Sequence, residues 1–304
     1  MQSITNKKTT IQRVILLNIT LIVSEIIAGI YSGSMALIAD AFHNLGDVLA
    51  LFITLVAIIY GAKKATVTMT FGYIRAESMA AFINSIFLSI TMIFIFVKSI
   101  DRFLNPIDIN APVVIFASLI ALFVNGFSTW LLNQKNIKHH HEHDEHEYED
   151  MNIKSAYFHM LGDALVSLSV VAGGVIMYFY GISLIDSLLS MIFSIYVMVA
   201  NFPILKNSFL SLMDSNSYNI KSIEELIMQS NEILSIHDLH LYRPNSKESY
   251  GSVHIVLKND LLLSEIEKVI ESIRERVCKQ GITHFIIQPE STNYHLDDIS
   301  CHTH

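Results

Sequence analysis

Ser32-Gly-Ser-Met-Ala-Leu-Ile-Ala-Asp-Ala-Phe-His-Asn-Leu-Gly-Asp47 sets Asp40, His43 and Asp47 into an otherwise apolar stretch. Gly33, between two serines, reads as a tight turn. Apolar runs lie on both sides: Val14–Ser24 and Ile26–Ala39 flank Glu25, and Val48–Ala62 follows the polar segment. His43 and Asp47 are four residues apart, so on a helix they share one face, one turn from each other. An ionisable side chain inside a membrane costs about 2.5 kcal/mol or more, and such a cluster demands a reason.

The rest of the chain supports a membrane setting. Of 304 residues, 52% are hydrophobic and 16% charged, and mean hydropathy is +0.45. Ser78–Val97, Ala111–Leu132, Ala164–Ile185 and Ser187–Leu205 are uncharged runs near the ~20 residues a spanning helix needs. With the two interrupted runs before them they predict a polytopic α-helical membrane protein with six transmembrane helices, occupying residues 1–210. Lys7, Lys8, Arg13, Lys63, Lys64 and Arg75 fall on one side of these spans, while the opposite loops offer little beyond Lys98 and Arg102. Both termini are therefore expected in the cytoplasm. Asn18 and Glu25 interrupt the first apolar run and no cleavage site follows, so it reads as a retained helix rather than a signal peptide.

Twenty Lys+Arg against 28 Asp+Glu leave a net charge of −8, which excludes a strongly basic nucleic-acid binder. Two cysteines build no disulfide framework. Fourteen histidines against one tryptophan point toward metals.

Residues 211–304 have ordinary composition. Asn219–Leu234 and Leu262–Cys278 have helical periodicity; Ile236–Arg243, Tyr250–Lys258 and Ile282–Gln288 read as strands. The order αββαβ predicts a small two-layer α+β cytoplasmic domain of roughly 80–90 residues, a size that gains from a metal or a partner. Pro203 is expected to kink or end the last span. Asp186 and Asp214 carry no chemical role that sequence reveals.

Extending the fifth span back through Tyr157 brings in His159 and Asp163, a second His-x-x-x-Asp pair. A single such pair is as readily helix–helix glue as ligand. Two faces of this kind, brought together, offer two imidazoles and two carboxylates, a tetrahedral set suited to zinc. These groups also bind protons, which metal must displace. A site holding either a divalent cation or protons is the minimum machinery of exchange: zinc binds at neutral cytoplasmic pH and is released where a more acidic far side protonates His43 and His159. Asp40, one turn before His43, either orients an imidazole or receives a cation on its approach. Asn18, Asn84 and Asn125 read as interhelical glue, and Glu25 and Glu77 also fall in or beside spans. Arg75 and Glu77, two residues apart, do not face each other on a helix.

Phe71-Gly-Tyr-Ile-Arg-Ala-Glu77, His159-Met-Leu-Gly-Asp163 and Ile282-Thr-His-Phe-Ile-Ile-Gln-Pro-Glu290 join the opening stretch in a pattern that resembles the cation diffusion facilitator family, from about Ile11 to Glu290. The resemblance implies a homodimeric zinc/proton antiporter in the lipid bilayer, with six spans and a metallochaperone-like (ferredoxin-like) cytoplasmic domain. It puts a four-ligand transport site on His43, Asp47, His159 and Asp163. Histidine at both first positions goes with zinc in such proteins, aspartate at both with manganese.

The stretch from residue 134 to 151 contains His139, His140, His141, His143 and His146 among acidic residues. It cannot pack a core, and its composition suits weak zinc collection better than a plain solvated linker; similar loops occupy this place in zinc-transporting relatives. In the cytoplasmic domain, His237 and His240 sit three apart on a strand and so on opposite faces. His254 is mid-strand, and His284 shares parity with Glu290. Their convergence predicts one or two zinc sites. The resemblance implies ligands at His240 or His237, His254, His284 and Glu290, with Tyr242 where a Trp is usual. Cys301, His302 and His304 are either further donors or a frayed tail.

The expected function is Zn2+ efflux from the cytoplasm in exchange for protons, with Cd2+ and Co2+ left open because all three accept mixed His/carboxylate sites. The alternative is a membrane-bound zinc sensor or storage protein without transport. No enzyme is expected: His-Glu-x-x-His is absent, and four protein ligands leave no open position for a reactive water. A tight four-ligand site also argues against a channel. The short chain reads as a bacterial plasma-membrane protein.

Overall fold

Uncharged runs become helices in lipid because only an internally bonded backbone leaves no N–H or C=O unsatisfied there. The computed structural model describes residues 18–61, 65–138, 147–246 and 248–292, with the side chains of 50, 51, 54–61, 127–138 and 147–161 outside the description. The helices are α1 (Asn18–Ser32), α2 (Met35–Gly61), α3 (Ala76–Leu104), α4 (Ala111–Lys138), α5 (Glu147–Tyr180), α6 (Leu184–Leu212), α7 (Ile220–Met228) and α8 (Leu263–Cys278); the strands are β1 (Ile233–Tyr242), β2 (Tyr250–Leu257) and β3 (His284–Ser291). Among the described residues, Ala76–Leu104, Gly162–Tyr180 and Leu184–Leu212 are long and apolar enough to cross a membrane; Asn18–Ser32 and Ala111–Gly126 are shorter apolar helices. The chain divides into two compact units, Met1–Phe52 with Ile83–Pro203 and Ile53–Phe82 with Ile204–His304.

The first unit is polar inside and apolar outside, as lipid requires. Glu25, Asp40, Ser34, Ser118 and Asp186 are buried, whereas Phe94, Phe116, Ile192 and Val199 are exposed. α2 lies at its centre. Met35 and Ala39 pack with Leu88, Met92 and Ile95 of α3 and Phe193 and Val197 of α6. Ala36 and Leu37 pack with Ala111 and Val114 of α4 and Val170 and Met177 of α5. Where α5 approaches α4, a Cβ on Gly174 would come within 2.8 Å of Ile115 Cγ1, so the close crossing requires glycine. Three buried serines satisfy themselves within their own helices: Ser118 Oγ donates to Val114 O at 2.7 Å, Ser99 Oγ to Ile95 O at 2.8 Å and Ser194 Oγ to Ser190 O at 2.8 Å.

The turn expected at Gly33 is present, with a left-handed φ of 78°. Arg102 donates to the Gly33 carbonyl. Ser34 then caps α2, its Oγ accepting the Leu37 N–H at 3.1 Å. The Asp186 carboxylate completes the cap: it accepts the Ser34 hydroxyl and the Met35 N–H, the latter at 2.7 Å. Negative charge is favoured at a helix N-terminus, which explains an aspartate buried between spans. Pro203 does not end α6, which runs through it to Leu212.

In the second unit, Arg75 just before α3 donates to Asp214 Oδ1 at 2.6 Å, not to Glu77. The Ser78 hydroxyl meets Ser211 Oγ and the Pro244 carbonyl, both at 2.8 Å. The predicted αββαβ order is found, and the sheet runs β1-β2-β3. β1 is antiparallel to β2, and β2 parallel to β3, the latter pairing requiring the α8 crossover. Ile223 and Ile227 of α7 and Ile273 and Val277 of α8 join Leu241, Val253, Ile255, Phe285 and Ile287 in the core. The first helix is shorter than its periodicity suggested. It stops at Met228, and Ile233 enters the sheet opposite Leu257.

Candidate metal centres

The i,i+4 spacing on α2 delivers His43 and Asp47 to one face, and α5 brings Asp163 against it. His43 Nε2 lies 3.3 Å from Asp163 Oδ1 and 3.7 Å from Asp47 Oδ2. The three side chains offer donor atoms all within 4.8 Å of one another. Four ligands at about 2.0–2.2 Å from a tetrahedral zinc lie about 3.3–3.6 Å apart, so these separations fit a shared ion. The His43 ring also meets Phe193 edge-on at 5.7 Å, which holds its orientation. His159 lies on α5 one turn before Asp163; its side chain is outside the described ones. Three of the four expected ligands are thus seen together.

Asp40 stands beside this group, fully buried, with one carboxylate oxygen accepting the Ser167 hydroxyl at 3.3 Å. Asn44, between His43 and Asp47 in sequence, donates to Glu25 of α1 at 3.2 Å.

A second group forms on the sheet. His237 and His254 are directly opposed in the β1–β2 register, with rings 5.0 Å apart. Glu290, on β3, places its two oxygens 3.5 Å from His237 Nε2 and 2.8 Å from His254 Nδ1. The three residues again offer donors within 4.8 Å of one another. Glu290 is buried, and its polar neighbours include the two imidazoles and the Gln288 amide, which donates to Oε1 at 3.0 Å.

His240 does not join this group in the single chain. A register shift between the two puts His240 opposite Ser252 and so on the face of His237, not on the opposite face that simple alternation predicted, and Asp238 sits at the irregularity with φ 54°. Such bulges re-aim side chains: Asp238 lies 2.8 Å from His240 Nε2 and 3.8 Å from His254 Nε2. Asp238 was not among the expected site residues. No glycine marks the left-handed position, and only the His-Asp-Leu-His spacing hinted at a carboxylate there. His284 is also apart, at the other end of β3, its ring 5.3 Å from Tyr250. His139, His140, His141, His143 and His146, and Cys301, His302 and His304, lie outside the described residues.

Residues 11–213 match the cation efflux transmembrane domain, and residues 216–292 the cytoplasmic domain of cation efflux proteins. The chain belongs to the cation efflux family. As a member it is a multi-pass membrane transporter rather than an enzyme, and its C-terminal domain is cytoplasmic. Among its relatives is a "cadmium, cobalt and zinc/H(+)-K(+) antiporter" of Bacillus velezensis, 32% identical over 296 residues, covering 96% of this chain and 91% of the relative. A protein of the same name from Bacillus subtilis is 31% identical over 299 residues, covering 96% and 92%. The zinc transporter ZitB of Pectobacterium atrosepticum is 30% identical over 291 residues, covering 94% and 85%. Each of the two matched domains holds one candidate centre.

Proposed function

We propose that this protein exports Zn2+ from the cytoplasm in exchange for protons, with Cd2+ and Co2+ as further cargo. The carrying observation is the group formed by His43, Asp47 and Asp163 between α2 and α5, in a chain whose relatives are named as zinc transporters and zinc/proton antiporters. His159, one turn from Asp163, is the fourth ligand. Zinc is the substrate here. Entering from the cytoplasm, it meets unprotonated imidazoles and carboxylates; on the far side protons take those lone pairs and the metal leaves.

Helices α1 to α6 form six spans, residues 1–210 the membrane domain, and residues 211–304 a metallochaperone-like domain through which two chains pair. The name of the matched cytoplasmic domain model refers to a dimer, and closed homodimers commonly use a two-fold interface. His237, His254 and Glu290 hold zinc in that domain, and His240 and His284 are donors available to a second ion or to the paired chain. Zinc bound there stabilises pairing by mass action. The His-rich stretch at 139–146 collects zinc at the cytoplasmic entrance. The bacterial plasma membrane is the proposed setting.

Zinc flux in proteoliposomes under an imposed pH gradient, comparing native protein with Asp163→Ala, tests this. Flux that follows the gradient and disappears in the variant supports exchange at this site. Flux indifferent to the gradient sinks the exchange. A native protein that binds zinc without moving it favours the sensor or storage reading instead.

A further inference from the structure

We infer that Glu25 of α1 is a proton-binding group coupled to the metal site; this rests on the exchange reading above and names a carrier for one of its protons. Glu25 is fully buried at the middle of α1. One carboxylate oxygen accepts the Asn44 amide at 3.2 Å. The other, Oε1, is buried without a hydrogen-bond partner. No Lys or Arg pairs with this carboxyl among the described residues. A bare carboxylate in such a place is far costlier than a carboxylic acid, so the group needs a cation, and a proton is the one that requires no further ligands.

The titratable surroundings make the demand sharper. Asn44 and Asp40 are one turn apart on α2 and share a face, so the Asn44 bond holds Glu25 against the face that carries Asp40. The charge of Asp40 acts directly on Glu25. Asp40 is itself fully buried, with Oδ1 unpartnered. Behind it His43 and Asp47 of α2 and Asp163 of α5 act on Asp40 in turn. The chain of charges therefore runs from Glu25 through Asp40 to the metal group.

Their order along the path is also informative. With the C-terminal domain cytoplasmic and six spans, α2 begins on the far side at Met35 and reaches Asp40 before His43. Protons arriving from outside meet Asp40 ahead of the metal, and Glu25, bonded to Asn44, lies level with His43. Zn2+ arriving from the cytoplasm adds two positive charges to the group around His43. That favours ionised Asp40 and Glu25, and a proton leaves the Glu25 carboxyl for solvent. When Zn2+ departs, a proton returns to the same oxygen. One of the two added charges is offset in this way without Glu25 touching the ion.

The test counts protons. Calorimetric zinc titration of the full-length protein in nanodiscs, run in two buffers of different ionisation enthalpy, gives protons released per zinc bound. Subtracting Asp163→Ala isolates the transport site from the cytoplasmic ones. Glu25→Gln is expected to bind zinc there and to release about one proton fewer than native protein. An unchanged count with zinc still bound overturns the assignment. So does a native count that falls to the Glu25→Gln value when potassium replaces sodium, because a monovalent metal ion then occupies the carboxyl. Infrared difference spectra keep the test decisive if Glu25→Gln fails to fold. Native protein must lose a protonated-carboxyl band on binding zinc, and Glu25→Asp must shift that band; absence of either result overturns the proposal. Should native protein release no protons at all, the exchange reading itself falls, an outcome distinct from failure at Glu25 alone.

Discussion

Asp186 on α6 accepts the backbone N–H of Met35, the first residue of α2, at 2.7 Å, across 151 residues of sequence. The helix that carries His43 and Asp47 is thus held at its start by a carboxylate from another span. Asp186→Ala leaves buried N–H groups at Met35 and Ala36 without this acceptor, a loss of about 1–3 kcal/mol. A lowered midpoint of thermal unfolding in detergent is expected, with partial recovery in Asp186→Asn, whose side-chain oxygen still accepts.

On the proposed exchange reading, ligand type at position 43 sets cargo. Replacing the imidazole by a carboxylate in His43→Asp makes the group richer in oxygen, which favours manganese over zinc. The zinc-over-manganese preference, measured by competitive flux in proteoliposomes, is expected to fall by roughly 10-fold or more, the scale typical even of indirect ligand changes.

Zinc affinity at the membrane site will fall with pH. Metal and protons compete for the same imidazole and carboxylate lone pairs, so binding weakens as pH falls. Each proton displaced contributes one decade in affinity per pH unit. Zinc titrations between about pH 7.5 and pH 5.5, with Asp163→Ala subtracted, should therefore give a slope near one to two. A flat profile would contradict ligation by His43 and His159.

Glu290 touches both imidazoles of the sheet group, so Glu290→Ala should abolish it. Metal analysis of the full-length protein is expected to show one zinc fewer per chain, while flux through the membrane site persists. His284→Ala, at a distance from the group, should leave the single-chain count unchanged. A drop there would mean that His284 acts on an ion shared with the paired chain.

Gly251 sits where β2 faces the core. A Cβ there would come within 2.5 Å of Leu241 Cδ2 and 2.8 Å of the Phe285 ring. The leucine tip can turn away, but the buried ring cannot, and overpacking of this kind costs about 1–3 kcal/mol. Gly251→Ala should lower the unfolding midpoint and leave zinc binding by the membrane site intact.

The candidate membrane ligands were legible because a four-residue spacing means the same thing in every helix: His43 with Asp47, and His159 with Asp163, each share a face wherever the helices are placed. What those faces meet is another matter. The role of Asp186 depends on a partner in a distant span, and nothing local announces it. In β1 the alternation rule placed His237 and His240 on opposite faces, but a left-handed Asp238 interrupts that alternation and draws His240 to itself. The αββαβ order was read from runs of β-branched and apolar residues. The true end of α7 was not, because the run leading into Ile233 fits the end of a helix as well as the start of a strand. Pro203 removes a single backbone donor from a helix that continues for nine further residues to Leu212.

The buried serines of the membrane unit bear on motion. Ser99, Ser118 and Ser194 each spend their hydroxyl proton on a carbonyl of their own helix, so their faces make no polar claim on a neighbour. Asn201 of α6 is different, donating to the Ser85 carbonyl and the Ser89 hydroxyl of α3 at 2.8 and 2.9 Å. Serine faces of this kind can glide past adjoining helices without breaking a hydrogen bond, whereas α6 is pinned to α3 at Asn201 and again where Ser211 meets Ser78. A bundle that opens alternately to two sides needs both kinds of surface: a smooth bearing where parts travel and a fixed pivot about which they turn.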